Sequence, residues 1–118
     1  VHQEQIRASL GIAGVQAEIY PWRATADGEV SGAQIDMLID RADRVVNMCE
    51  MKFYQEEFAI DKEYDKKLRS KITTLLAATK NKKNILPTIV TTYGLKMNMY
   101  SNRIQRVVTM DALFEKSL

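Results

Sequence analysis

The chain has 118 residues, 46% of them hydrophobic and 27% charged, with a net charge of +2. That length predicts one domain, residues 1–118, with a sizeable core. No apolar run is long enough to cross a bilayer and no secretory pattern is present. One cysteine excludes a disulfide framework and fits the reducing cytoplasm, and a lone His2 excludes a His/Cys zinc site.

Val1 in place of methionine, followed at once by a helical pattern, points to a fragment of a longer protein. Ile6 and Leu10 lie at helical spacing and Gly11 stops that first helix. Val15 to Trp22 alternates as a strand, with Pro21 marking an edge position or a strand end. Arg23 to Gly32 is turn-rich and reads as a loop. Gln34 to Asp40 alternates again: Ile35, Met37 and Ile39 point one way, Asp36, Leu38 and Asp40 the other. Arg41 to Arg44 has no glycine, which predicts a turn longer than the two-residue primed type. Val45 to Phe53 is the third strand. Val46, Met48, Glu50 and Lys52 share one face; Val45, Asn47, Cys49 and Met51 share the other.

Asp61 is a good N-cap, followed by Glu63 and Asp65 in the first turn. Ile60, Tyr64, Leu68, Ile72, Leu75, Leu76 and Thr79 recur at three- and four-residue steps, predicting a helix of about 20 residues with one buried stripe. Ile85 to Tyr93 is apolar on both sides, as in a buried central strand, and Gly94 breaks it. Leu95 to Asn102 is a loop, Ile104 to Met110 a last strand, and Asp111 caps a short final helix. The order is α-β-β-β-α-β-β-α. The first three strands are expected to be antiparallel, and the long helix makes the next crossover parallel. The fold class is therefore α/β, a mixed sheet with helices on both faces.

A turn centred near Asp43 places Asp36 opposite Glu50, with Lys52 two residues further along the same face. Opposed side chains have Cβ atoms about 4.5–5.5 Å apart, so two carboxylates there repel unless a cation lies between them. Mg2+ or Mn2+ suits such oxygen ligands and keeps waters for a substrate. A lysine beside them can orient a water and stabilise charge on a phosphate. The charge is also uneven: residues 1–60 carry five Lys/Arg against ten Asp/Glu, and residues 61–118 carry twelve against five. The basic half, with Lys66, Lys67, Arg69 and Lys71, is a candidate to meet a phosphate backbone.

Ile35-Asp36, then Glu50-Met51-Lys52, followed by a helix, resembles the PD-(D/E)XK nuclease-like superfamily. Through Gly32-Ala-Gln-Ile-Asp36, Cys49-Glu50-Met51-Lys52-Phe53 and Thr92-Tyr93-Gly94-Leu95, the whole chain resembles the C-terminal domain of archaeal and bacterial DEXX-box ATPases. The resemblance implies a restriction-endonuclease-like core and a metal-dependent nuclease acting on nucleic acid, DNA above all, attached to an N-terminal ATPase domain. Asp36 and Glu50 would bind Mg2+ or Mn2+, the Met51 backbone carbonyl would be a third ligand, and Lys52 would assist the attacking water. Ile35 stands where the superfamily has a proline. For the first-helix glutamate of that superfamily, Glu4 is the one candidate in the sequence, or the true one precedes Val1; the Gln/Tyr motif of some relatives is missing from the second helix.

Two other readings stay open. The domain keeps the fold without turnover and grips nucleic acid or regulates its ATPase, or it is a docking or dimerisation module, a homodimer included. Asp36 and Glu50 are then solvated residues neutralised by Lys52. Cys49 faces away from the site, and Tyr20 and Trp22 are read as core rather than as base-stacking platforms.

Overall fold

The computed structural model describes residues 3–24, 33–80 and 82–109. The elements are α1 (Gln3–Ser9), β1 (Ala17–Ala24), β2 (Ala33–Arg41), β3 (Val45–Lys52), α2 (Lys62–Ala78), β4 (Asn84–Thr91), a 3-10 turn (Ser101–Arg103) and β5 (Arg106–Thr109). The expected final helix capped by Asp111, and residues 25–32 of the expected loop, lie outside the described residues. Among those described, no helix is long and apolar enough to cross a membrane.

The strands form one mixed sheet in the order β1-β2-β3-β4-β5. β1, β2 and β3 pair antiparallel, and β4 runs parallel to β3 across α2. β5 is also parallel to β4. This is an α/β fold with a helix on each face. α2 covers one face through Leu68 and Leu75, packed with Ile35, Leu38, Val46, Met48 and Ile89. α1 brings Ile6 to the other, against Met37, Ile39, Cys49, Val90 and Val108. Both clusters bury branched side chains almost completely, each such side chain contributing roughly 1.5–3 kcal/mol.

α2 starts where the sequence predicts. The Asp61 side chain accepts a hydrogen bond from the Tyr64 amide at 2.7 Å, and Glu63 and Asp65 occupy the favourable first turn. It has 17 residues rather than about 20, because Lys80 adopts a left-handed φ of 56° and ends it. The β2–β3 connection is the expected longer turn, with Arg44 at φ 65° taking the role glycine fills more cheaply.

Two expectations are corrected. β1 does not end at Trp22 but continues through Pro21 to Ala24, which an edge strand permits because its outer side owes no ladder hydrogen bond. The alternation of β2 is also broken. Tyr20 pairs with Leu38 and Trp22 with Ile35, so Pro21 alone faces both Asp36 and Met37. This bulge inserts one residue into β2. It turns Ile35 away from Met37 and Ile39 and into the α2-side cluster beside Leu38.

Candidate active site

The β2–β3 ladder has the register expected from a turn near Asp43: Asp40 pairs with Val46, Leu38 with Met48, and Met37 with Cys49. There the backbone ladder stops and side chains replace it. The Asp36 amide donates to Glu50 Oε2 at 3.3 Å. The Met51 amide donates to Asp36 Oδ2 at 2.8 Å. Each carboxylate thus satisfies a backbone donor of the opposing strand that the bulge has taken out of register. In a strand the N–H and C=O of one residue leave on the same side. The Met51 carbonyl therefore shares with its amide the edge that faces Asp36.

Glu50 is 1% exposed. Its Oε1 is held by the ammonium of Lys71 on α2, whose side chain is 24% exposed. Burial pushes the Glu50 carboxyl above the usual range and the Asp36 charge adds to this. The Lys71 ammonium and the Asp36 amide pull in the opposite direction without cancelling it. Asp36, by contrast, is exposed.

Lys52 lies on the same face as Glu50. Among the described residues it has no carboxylate partner within 4.0 Å. It rests instead over two aromatic rings, 4.8 Å from the centroid of Tyr64 and 5.8 Å from that of Phe58. The Tyr64 hydroxyl is buried and makes no hydrogen bond within the described residues. Burial, and then the charges of Glu50 and Asp36, drive its pKa far up, so it stays a protonated donor beside the acidic pair.

Asp36 also borders a cleft of about 330 Å³ together with Ala33, Gln34, Lys67, Ser70 and Lys71. Of the four basic residues expected to meet phosphate, Lys67 and Lys71 line this cleft. Lys66 is exposed outside it. Arg69 is 3.2 Å from Asp65, a carboxylate also held by Arg103 at 2.9 Å. Glu4 is exposed on α1, which covers the opposite sheet face, and it pairs with Arg7 at 3.8 Å; it does not join Asp36 and Glu50. Cys49 packs on that opposite face as expected, with its thiol pushed up to about 12 by burial.

The sequence reading missed Tyr64 and the pairing of Lys71 with Glu50. The signal was present: Lys71 stands three residues after Leu68 and four before Leu75, so it interrupts the edge of the buried stripe. A lysine there needs a buried partner.

Among the described residues no group of three or more His, Cys, Asp or Glu comes together. The donor set is two carboxylates and one backbone carbonyl, with an unpartnered hydroxyl close by. That set suits a hard cation which retains several waters and not a softer, nitrogen- or sulfur-bound metal.

No family model matches this sequence, and no curated protein matches it. Among solved structures the chain is similar to the crystal structure of AF1548, a protein of unknown function, with a TM-score of 0.64 and 14% identity. The match covers 98% of this chain, which spans 65% of the length of AF1548. At that identity the likeness speaks for the fold alone.

Proposed function

We propose that this chain is a nuclease-like domain that hydrolyses nucleic-acid phosphodiesters, DNA above all, with Mg2+ or Mn2+. The observation that carries the reading is the crossed pair of hydrogen bonds at the end of the β2–β3 ladder. It brings the Asp36 carboxylate, the Glu50 carboxylate and the Met51 backbone to one spot under α2. The order α-β-β-β-α-β-β of the described elements supports a restriction-endonuclease-like core. The resemblance to the C-terminal domain of DEXX-box ATPases supports attachment to such an ATPase.

Asp36, Glu50 and the Met51 carbonyl would hold the cation. When bound, it would supply Lewis-acid stabilisation of the charge that builds on the phosphate. Lys52, without a carboxylate partner among the described residues and steadied by the Tyr64 ring, orients the attacking water and adds a positive charge beside the phosphate. The Tyr64 hydroxyl donates a hydrogen bond to the water or phosphate oxygen nearest the carboxylates. Lys67 and Ser70 in the adjoining cleft hold the nucleic-acid backbone, which gives positioning without base readout.

The test is Mn2+-dependent cleavage of plasmid and single-stranded DNA. Wild type is expected to cleave, and Lys52→Ala to lose cleavage while melting at the same temperature. Equal activity in the two proteins would sink the reading.

The Lys71–Glu50 ion pair favours a second reading. With its acidic oxygen already neutralised by this ammonium, the domain grips nucleic acid or docks on its ATPase without turnover. Salt-dependent DNA binding with no cleavage under any metal would select this module.

A further inference from the structure

We infer that Lys71 is a displaceable occupant of the cation position: it holds Glu50 in the metal-free protein and moves to a substrate phosphate when a divalent cation takes Glu50. This rests on the nuclease reading above.

Glu50 is buried, and its acceptors are already engaged. Oε2 receives the Asp36 amide and Oε1 receives the Lys71 ammonium. A buried carboxylate left bare is strongly unfavourable, so a cation arriving at Oε1 and the lysine leaving it are one exchange. Lys71 is built for that exchange. Its charge is compact and sits on a flexible four-carbon stem. Its side chain is also 24% exposed, against 1% for Glu50, so it can leave by bond rotation with α2 unmoved.

The place it moves to is beside it. Lys71 lines the 330 Å³ cleft with Asp36, Lys67 and Ser70. Released from Glu50, its ammonium joins a second ammonium and a hydroxyl, the groups that recognise a phosphate diester. The cation then occupies one end of the cleft and the phosphate the other, and the lysine serves whichever is otherwise without a partner. By linkage, the cation strengthens phosphate binding and phosphate strengthens cation binding by the same factor.

The test uses Mn2+ alone, with free Mn2+ followed by electron paramagnetic resonance, on the full chain. Lys71→Met is expected to bind Mn2+ about tenfold more tightly than wild type, within the usual range of coupling between sites. Mn2+ is also expected to raise its melting temperature more than that of wild type. Lys71→Arg, which keeps a forked and firmer partner on Glu50, is expected to bind Mn2+ more weakly than wild type. In fluorescence anisotropy with a single-stranded oligonucleotide, adding Ca2+ is expected to strengthen binding by wild type and to leave Lys71→Met unchanged. Equal Mn2+ affinity in wild type, Lys71→Met and Lys71→Arg overturns the exchange and leaves the metal site standing. No Mn2+ binding by any of the three overturns both. If Lys71→Met does not fold without metal, Lys71→Arg decides alone: affinity equal to wild type rejects the inference.

Discussion

The Asp36 carboxylate accepts the Met51 amide at 2.8 Å, while the Asp36 amide donates to the Glu50 carboxylate. Asp36 is therefore both a candidate ligand and the stitch that closes the β2–β3 ladder.

These two roles separate by substitution. Asp36→Asn keeps an amide carbonyl that can accept from Met51, so its stability is expected to stay close to wild type. Asp36→Ala leaves the Met51 amide without that acceptor and is expected to lose about 1 kcal/mol. Both should lose Mn2+ binding and cleavage. Denaturant melts and Mn2+ titration distinguish the two effects; an Asn variant that still binds Mn2+ as well as wild type would remove Asp36 from the ligand set.

Glu50 makes stability depend on pH. Its carboxyl takes up a proton more readily folded than unfolded, because burial raises its pKa above the ordinary 4.5. The stability it contributes is full below the unfolded value and is lost as pH rises through the raised folded value. Glu50→Gln lacks this loss. Its stability relative to wild type is expected to grow between pH 4 and pH 8, measured by urea unfolding at each pH. A constant difference across that range would show that the ion pair with Lys71 fully offsets the burial.

Tyr64 offers a further separation. Its hydroxyl is buried with no partner among the described residues, and an unsatisfied buried hydroxyl costs about 1–3 kcal/mol. Tyr64→Phe is expected to melt at the same temperature or higher, while turnover falls. Tyr64→Leu also removes the ring under Lys52 and is expected to lower turnover further, with Mn2+ affinity unchanged. Turnover equal to wild type in Tyr64→Phe would remove the hydroxyl from the proposed chemistry.

Asp65 anchors the loop before β5. It is 5% exposed and held by Arg69 of α2 and by Arg103 of the 3-10 turn. Asp65→Ala is expected to destabilise the chain by about 1–3 kcal/mol and to leave Mn2+ affinity intact, because Asp65 is not among the residues around Asp36. Both are read from a melt and a titration; a loss of Mn2+ affinity would contradict this separation.

Much of this arrangement was legible in the sequence. The register of Met37 on Cys49 followed from period-two alternation about a turn near Asp43. The stripe through Leu68 and Leu75, and the cap at Asp61, followed from helical spacing and capping chemistry. The bulge at Asp36 and Met37 was not legible, because apolar residues continue at every second position and no glycine marks the break. The Glu50–Lys71 pair was hidden for another reason. Its members lie 21 positions apart on a strand and on the crossover helix, and no local pattern links them; only a lysine misplaced on an apolar stripe hinted at it.

The bulge carries a consequence for how such a site can be gained or lost. Removing a single codon at 36 or 37 would restore an unbroken rhythm to β2. Ile35 would stay beside Leu38 on the α2 side, but deletion at 36 would remove the acid itself, and deletion at 37 would turn the acid to the α1 side, away from Met51. The site is thus more fragile toward deletions than toward most point changes, and shortening β2 by one residue would leave a folded but silent sheet.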